Sequence, residues 1–515
     1  MLVRTRKRKI YLSRSSWILW LVLIFLTTLV QASDDENDVH VPITDAALQH
    51  VQAVRKSMPN GWQYLGRVTP IQSGSGGPSL LGIGMETLDR EFIIFDEVQP
   101  YLKPLGARWV RLQSGWNKTE SKPGVFDFAW LDKIVDGCVE AGLEPWLQLS
   151  YGNTNYPEAG GIGLSTGLIK SKEGFEAWER YTTRVVRRYR DRVDRYEVWN
   201  EPYGSWRQHK QDEIADLYYE LYLRTAQIIR REDPGAQIFA LGLAAVGKHD
   251  HFAGLIDRLK VAGGLEFLDG ISFHGYATNP DDFFHHVSRM RTYLDIHAPH
   301  VALWQGENGA PSRRQSMFAL KDQDWTELSQ AKWNSRRALA HIGRDIPFTQ
   351  FQISDMRYAK RADRPNFKGL LETRDDRTVI GPKLAYFSYQ TVNALFPGSV
   401  QAKSTTRRIE SNLASLATFR FQDSTTGRTR FALWNSAERP NESYQRQAIE
   451  VALPDFDAKE IVYIDVATGA VFEPPRGHDK TDLFRRFGDL IVIRGLPIWD
   501  SPIVLADRSD IKLIK

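Results

Sequence analysis

The feature that most restricts the fold is an alternation of two periodicities, repeated eight times between Leu80 and Phe396. Short runs rich in β-branched and aromatic residues lie at 81–85, 108–113, 145–150, 195–199, 238–243, 270–274, 301–305 and 349–353, and these read as strands. Between them apolar residues recur at helical spacing, most clearly over 128–141, 173–189, 213–231, 252–261, 283–296, 325–342 and 382–396. Ala141-Gly142 closes one helix and Asp233-Pro234-Gly235 another. Eight βα units in series imply a parallel sheet, and eight is the number that closes into a (β/α)8 barrel. The competing architecture is an open doubly wound sheet. It would need a glycine-rich loop joining a strand to a helix, whereas Gly74-Ser75-Gly76-Gly77 precedes the first strand.

Beyond Pro397-Gly398 the period shortens to two. Stretches 413–421, 429–435, 447–453, 460–466 and 489–493 alternate apolar and polar residues, with turn clusters such as Ser424-Thr425-Thr426-Gly427 between them. That pattern describes an all-β accessory domain, read as a sandwich. The expected organisation is a leader over 1–32, an N-terminal segment over 33–78 open to joining the β domain, a barrel over 79–397 and a β-sandwich-like domain over 398–515.

The leader reading rests on Arg4, Arg6, Lys7, Arg8, Lys9 and Arg14, followed by a 14-residue apolar run from Trp17 to Val30 and small residues up to Ala32. The run falls short of the roughly 20 residues of a membrane-spanning helix. Cleavage after Ala32 and export are therefore expected, with an uncleaved anchor as the alternative and no stable membrane insertion after cleavage. The leader also explains the basic balance. The chain has 67 Lys+Arg against 63 Asp+Glu, and without the six basic leader residues the balance is 61 to 63. Nothing there points to nucleic acid. The single cysteine, Cys138, allows no internal disulfide and sits in an apolar helical pattern, as a buried small hydrophobe would.

Chemistry on a barrel belongs at the carboxyl ends of the strands. Glu201 ends Trp199-Asn200-Glu201-Pro202 after the fourth strand, and Glu307 ends Gly306-Glu307-Asn308-Gly309 after the seventh. Those two strand ends face each other across the mouth, where a glycosidic bond needs one group to protonate the leaving oxygen and a second to attack or activate water. No spacing of His, Cys, Asp or Glu matches a zinc site. The chemistry calls for no cofactor and no metal.

Over the whole barrel the motifs resemble those of the clan A glycoside hydrolases, and the β-rich tail resembles family 39 first and family 5 next. The resemblance implies a retaining β-glycosidase acting on an oligo- or polysaccharide. It implies Glu201 as general acid/base, holding its proton near neutral pH, and Glu307 as nucleophile, with carboxyls roughly 5–5.5 Å apart. It also implies Asn200 on the sugar 2-hydroxyl, Arg111 keeping Glu307 ionised, and Tyr276 and His274 at the nucleophile and the sugar. Glu86, after the first strand, is the expected third carboxylate of the cleft. Trp116 and Trp206 are expected as stacking platforms, while the parity of Trp304 against Gln305 and Glu307 puts it under the surrounding helices. Many clan members carry a tryptophan at the end of the eighth strand. Here 351–358 offers Asp355 and Arg357 instead, either for a polar or charged sugar or simply as loop residues. A barrel that binds polysaccharide without turnover is the competing functional reading. The sugar, the linkage and the oligomeric state stay open.

Overall fold

The computed structural model describes residues 40–164, 166–203, 211–358, 361–475 and 483–515. The expected leader lies outside them. A helix, α1 (Asp45–Ser57), comes first, with Thr44 as its cap: the side-chain oxygen accepts from the Ala47 amide at 3.3 Å. Strand β1 (Gln63–Val68) follows and pairs antiparallel with two strands from the other end of the chain.

Eight parallel strands then close into a barrel: β2 (Leu81–Gly84), β3 (Trp109–Gln113), β4 (Glu144–Leu149), β5 (Arg195–Val198), β6 (Gln237–Leu243), β7 (Gly270–Phe273), β8 (Ala302–Asn308) and β9 (Phe348–Gln350). Each falls on one of the eight runs read from sequence. The match is expected of strands covered on both faces, which read as nearly continuous apolar segments. The helices around them are α2 (Ala129–Glu140), α3 (Lys172–Tyr189), α4 (Gln211–Glu232), α5 (His249–Ala262), α6 (Phe284–His297), α7 (Glu327–Ile342) and α8 (Leu384–Leu395). Ser171 caps α3, and a reciprocal Thr326–Ser329 capping box starts α7. Cys138 is fully buried on α2. Among the described residues no helix is long and apolar enough to cross a membrane.

The lower part of the barrel is filled by aromatics. Trp109, Trp146, Phe239 and Trp304 form a cluster of their own, with ring centres 5.0 Å apart for Trp109–Trp304, 5.1 Å for Trp146–Phe239 and 5.0 Å for Phe239–Trp304. Trp109 on β3 and Trp304 on β8 belong to strands that are not neighbours, so they meet across the lumen. This corrects the sequence expectation that Trp304 packs under the helices. Parity counted back from Glu307 crosses an irregularity in β8 between Gln305 and Asn308, and there the strict alternation is lost.

After β9 the chain makes two hairpins that alternation does not reveal, β10 (Met356–Tyr358) with β11 (Arg361–Asn366) and β12 (Leu371–Thr373) with β13 (Val379–Pro382). The remaining strands form two antiparallel sheets. One holds β14 (Val400–Ala402), β16 (Leu416–Asp423), β17 (Thr429–Asn435), β19 (Ile461–Asp465), β20 (Ala470–Glu473), β23 (Ile503–Asp507) and β24 (Leu513–Ile514), together with β1. The other holds β15 (Glu410–Ser411), β18 (Gln447–Pro454), β21 (Phe484–Phe487) and β22 (Leu490–Ile498). The central strands of the larger sheet, β17, β19 and β23, are buried on both faces. Phe431 and Leu433 of β17 point into the space between the sheets with Val451, Leu453 and Ile493, whereas Ala432 and Trp434 join the core shared with the barrel helices.

Helix α7 lies between barrel and sheets, and every residue from Leu328 to Ile342 is buried. Two of its cations reach the β domain. Lys332 donates to the carbonyls of Asn441 and Ser443 and to Asp500 at 2.7–2.9 Å. Arg336 bonds Asp281 at 2.8 Å and the Glu438 carbonyl at 2.8 Å. The adjacent Arg337 turns the other way and donates to the carbonyls of Gly275 and Pro280.

Phe239→Ala would empty the centre of the aromatic floor. The expected loss is about 3–5 kcal/mol of stability, measured as a shift of the urea midpoint. A loss below about 1 kcal/mol would mean that the three tryptophans collapse onto the space.

Candidate active site

The carboxyl end of the barrel is organised around Arg111 of β3, whose side chain is fully buried. Nη1 reaches Glu86 at 2.7 Å, Nε and Nη2 grip Glu197 of β5 at 2.8 and 3.2 Å, and Nη2 also bonds the Asn200 Oδ1 at 3.0 Å. The same guanidinium lies 3.6 Å from Glu307. Burial alone would weaken its hold on the proton, but Glu197 and Glu86 outweigh that, and its pKa is raised. Glu86 bears the cost of the crowding: burial pushes it up to about 7, with Arg111 pulling down and Glu307 adding to the rise. Sequence reasoning missed Glu197. Its signal was a charge in the middle of a strand otherwise made for burial.

At the end of β5, Trp199 and Glu201 both adopt left-handed backbone, with φ of +65° and +49°. Non-glycine residues rarely do so, and the two kinks turn Asn200 and Glu201 toward the barrel mouth. The distortion is braced from two sides. The Tyr218 hydroxyl on α4 donates to the Val198 carbonyl at 2.8 Å and accepts from the Leu241 amide at 2.6 Å. The Glu201 amide bonds the Leu241 carbonyl at 3.1 Å. Gly242 opposite must be glycine, because a Cβ there would lie 2.9 Å from the Asn200 Oδ1 and 3.0 Å from the Glu197 Oε1. Asn200 is held by Arg111, by Gln148 at 3.1 Å and by its own donation to the Tyr151 hydroxyl at 2.9 Å. One Nδ2 hydrogen is left for a ligand.

His274 and Tyr276 follow β7 and turn to the same side. His274 Nδ1 lies 2.7 Å from Glu201 Oε1 and 3.6 Å from Glu307 Oε2. The Tyr276 hydroxyl donates to Glu307 Oε1 at 2.9 Å. Burial pulls the His274 pKa down, but Glu307 and the bond to Glu201 win and the net shift is upward. Burial, reinforced by Glu307, drives the Tyr276 hydroxyl far above its ordinary range, so it stays a donor. The turn between the two side chains is fixed by Asn308, which donates to the carbonyls of both His274 and Gly275 at 2.9 Å, and by Arg337 from α7. Glu201, His274 and Glu307 thus each present one atom within 4.8 Å of the others.

These groups open into a cavity of about 1000 Å³ lined by Glu86, Asn200, Glu201, Tyr276, Glu307 and Lys368, among others. Glu201 and Glu307 keep 16% and 14% of their side chains exposed, enough for a ligand to touch them. The loop after β4 supplies one wall through Tyr151, Ile162 and Leu164; Phe318 and Tyr358 supply another.

Three sequence expectations need correction or limits. Trp116 reaches the cavity wall but exposes no surface. It is packed against Tyr156, Trp178 and Tyr181, with its Nε1 on Glu120 at 2.7 Å, and so offers no face to a sugar. Trp206 lies outside the described residues. Asp355 and Arg357 do not face the cavity: Asp355 is fully buried and paired with Lys383 at 2.7 Å, and Arg357 is engaged by Asp375 and the Thr373 carbonyl. A cation that does line the cavity is Lys368, which no strand-end rule singles out.

The family model for glycosyl hydrolases family 39 matches residues 112–288, a stretch that includes Glu201 and ends before Glu307. A β-xylosidase of Caldicellulosiruptor saccharolyticus is 29% identical over 120 residues, 21% of this chain and 23% of that protein. The match therefore spans less than a quarter of that curated relative's length. Among solved structures, a family 39 glycoside hydrolase from the gut symbiont Bacteroides cellulosilyticus WH2 superposes with a TM-score of 0.61 at 17% identity, over 86% of this chain and 83% of that one. A monomeric β-xylosidase from Caulobacter crescentus CB15 gives 0.54 at 16%, over 86% and 97%. The fold is that of a family 39 glycoside hydrolase, a closed (β/α)8 barrel with a smaller sandwich-like β domain.

Two measurements test the ion cluster. Arg111→Met leaves Glu86 and Glu197 buried without their cation, with an expected cost of about 3–5 kcal/mol in urea denaturation. Adding Glu197→Gln should restore part of the loss; if it restores none, the cost is packing rather than charge. For Glu86, a folded pKa of about 7 lies above the ordinary value of 4.5, so the native state holds the extra proton between those values. Its contribution to stability is full below the lower value and is lost as pH rises through the upper one. Glu86→Gln is expected to flatten that part of the Tm-against-pH profile, and an unchanged slope would assign it to another group.

Proposed function

We propose that this chain is an exported retaining glycoside hydrolase that cleaves β-glycosidic bonds of an oligo- or polysaccharide by double displacement, with Glu201 as acid/base and Glu307 as nucleophile. The observation that carries the reading is the approach of the two carboxylates, which have oxygens within 4.8 Å of each other around His274. A retaining enzyme keeps its carboxyls about 5–5.5 Å apart, whereas an inverting one needs about 6.5–9.5 Å to admit a water.

In the first step the Glu307 carboxylate attacks the anomeric carbon and the bond to the leaving oxygen breaks, that oxygen taking the proton of Glu201. In the second step Glu201, now a carboxylate, takes a proton from water as the water oxygen displaces Glu307 from the same carbon. His274, 2.7 Å from Glu201, can share the proton between the two steps. Arg111 and the Tyr276 hydroxyl stabilise charge on Glu307 before attack and after release. Asn200 has a hydrogen for the 2-hydroxyl of the reacting sugar. The family 39 match and the β-xylosidase names of its relatives support a β-linked substrate.

A second reading is favoured by one observation: the atoms of Glu201, His274 and Glu307 are also close enough to hold a divalent cation. One assay separates the two. Aryl β-glycosides and β-linked polysaccharides are offered to the wild type with and without a chelator, and to Glu201→Ala and Glu307→Ala. Each substitution is expected to lower kcat/KM by about 10²–10⁴-fold or more. Azide should restore turnover, giving the α-azide with Glu307→Ala and the β-azide with Glu201→Ala, while the chelator leaves the wild type unaffected. Loss of activity with the chelator and its return with added metal would favour the cation site. Binding without turnover in every variant would leave a polysaccharide-binding barrel.

A further inference from the structure

Among the described residues, three cationic side chains line the cavity: Arg90, Lys118 and Lys368. Arg90 is matched by Asp89 at 3.2 Å and Lys118 by Glu91 at 2.9 Å. Lys368 is different. It is 1% exposed, and among the described residues it has no carboxylate within ion-pair distance. Its Nζ has a long hydrogen bond to the Asn366 Oδ1 at 3.5 Å and lies 5.5 Å from the ring centre of Tyr276 and 5.9 Å from that of Phe318. Burial pushes its pKa down to about 7, with the charge of Glu307 opposing the drop. An ammonium in that position is either neutralised or left as an uncompensated buried charge.

The backbone that carries it is firmly held. The Phe367 carbonyl accepts from the Ser312 amide at 2.9 Å and from Lys383 Nζ at 3.4 Å, and the Phe367 amide bonds Gln315 at 3.1 Å. The Gly369 amide donates to the Asp355 Oδ1 at 3.0 Å. A Cβ at Gly369 would come within 2.0 Å of the Asp355 amide nitrogen, so only glycine lets the two segments touch. The buried Asp355–Lys383 pair thus serves as the anchor for the segment that presents Lys368. A lysine used merely as apolar filling would not need its backbone fixed from both sides, and a neutral sugar would leave its charge unanswered.

We infer that the sugar seated against Glu307 bears an anionic ring substituent, a carboxylate or a sulfate ester, which Lys368 receives. The inference rests on the proposed glycosidase reading and narrows it to acidic glycans. Lys368 sits over the ring of Tyr276, whose hydroxyl is on Glu307, so the group it meets belongs to the sugar undergoing reaction rather than to the leaving portion. A charge-assisted contact at a buried site is strong enough to decide between two sugars that differ in that group alone.

The test uses matched aryl β-glycosides: glucoside against glucuronide, galactoside against galacturonide, and glucoside against its 6-sulfate. Wild type, Lys368→Met and Lys368→Arg are compared through the ratio of kcat/KM for the anionic member over the neutral one. The wild type is expected to favour an anionic member, and the pair that shows the preference tells carboxylate from sulfate. In Lys368→Met the ratio should fall by about tenfold or more, equivalent to about 1.4 kcal/mol, and Lys368→Arg should keep most of it. A wild type that favours the neutral sugars, with a ratio unmoved by Lys368→Met, overturns the inference and leaves the glycosidase reading standing. If no aryl glycoside turns over, titration calorimetry with glucuronate, glucose 6-sulfate and glucose decides. Anionic sugars that bind the wild type but not Lys368→Met would sustain the inference while the glycosidase reading falls. Equal or absent binding of charged and neutral sugars overturns it.

Discussion

The carboxyl end of this barrel depends on one guanidinium that is cut off from water. Arg111 is buried as a cation among carboxylates within β5 and at the ends of β2 and β8, so the ion cluster ties together strands on different sides of the ring. The division of contacts within the cluster matters as much as its existence. Glu197 takes the two-pronged grip and Glu86 the shortest contact, while Glu307 is left at 3.6 Å. A carboxylate at that distance is stabilised as an anion without being saturated by hydrogen bonds. In the proposed reaction that is the condition a nucleophile needs: ionised before attack, yet free to exchange its charge for a covalent bond.

The geometry of the acid/base residue has a different origin. Glu201 reaches the cavity through two left-handed residues, itself and Trp199, on either side of Asn200, a conformation costing roughly 1–2 kcal/mol per residue. The distortion persists because its surroundings leave no alternative. Tyr218 stitches the ends of β5 and β6 together, and the Glu201 amide is committed to Leu241. Rigid barrel strands therefore hold both glutamates, and the loops above them shape the cavity.

The sequence reveals the barrel because its strands are short, apolar and separated by amphipathic helices, and it reveals Glu201 and Glu307 because both stand at strand ends in recognisable local motifs. It hides whatever depends on a partner distant in the chain. Glu197 looks like a misplaced charge until Arg111 is set beside it. Lys368 follows β11, a strand containing Arg361, Asp363, Arg364 and Pro365 that shows no alternation. Asp355 was visible as unusual, but its partner Lys383 lies 28 positions away, so its role as an anchor could not be read locally. Trp304 was placed by counting alternate residues across an irregularity that only pairing with β9 discloses. Trp116 sits in a loop at the right end of the barrel, yet Glu120 and three neighbouring rings bury it.

Helix α7 carries a consequence for how this chain can change over time. Its positions 332, 336 and 337 carry Lys or Arg: Lys332 is answered by the β domain, Arg336 by Asp281 of the barrel and the Glu438 carbonyl of the β domain, and Arg337 by the turn that presents His274 and Tyr276. A barrel given a different tail would inherit Lys332 stripped of the acceptors that the β domain supplies, and Arg336 with Asp281 but without its partner carbonyl. It would have to acquire new acceptors at the same moment, or lose the charges and the helix position they define. Chains built this way are therefore expected to inherit the two halves together, and substitutions that look confined to the sheets will be selected partly by what happens on the barrel side of the helix.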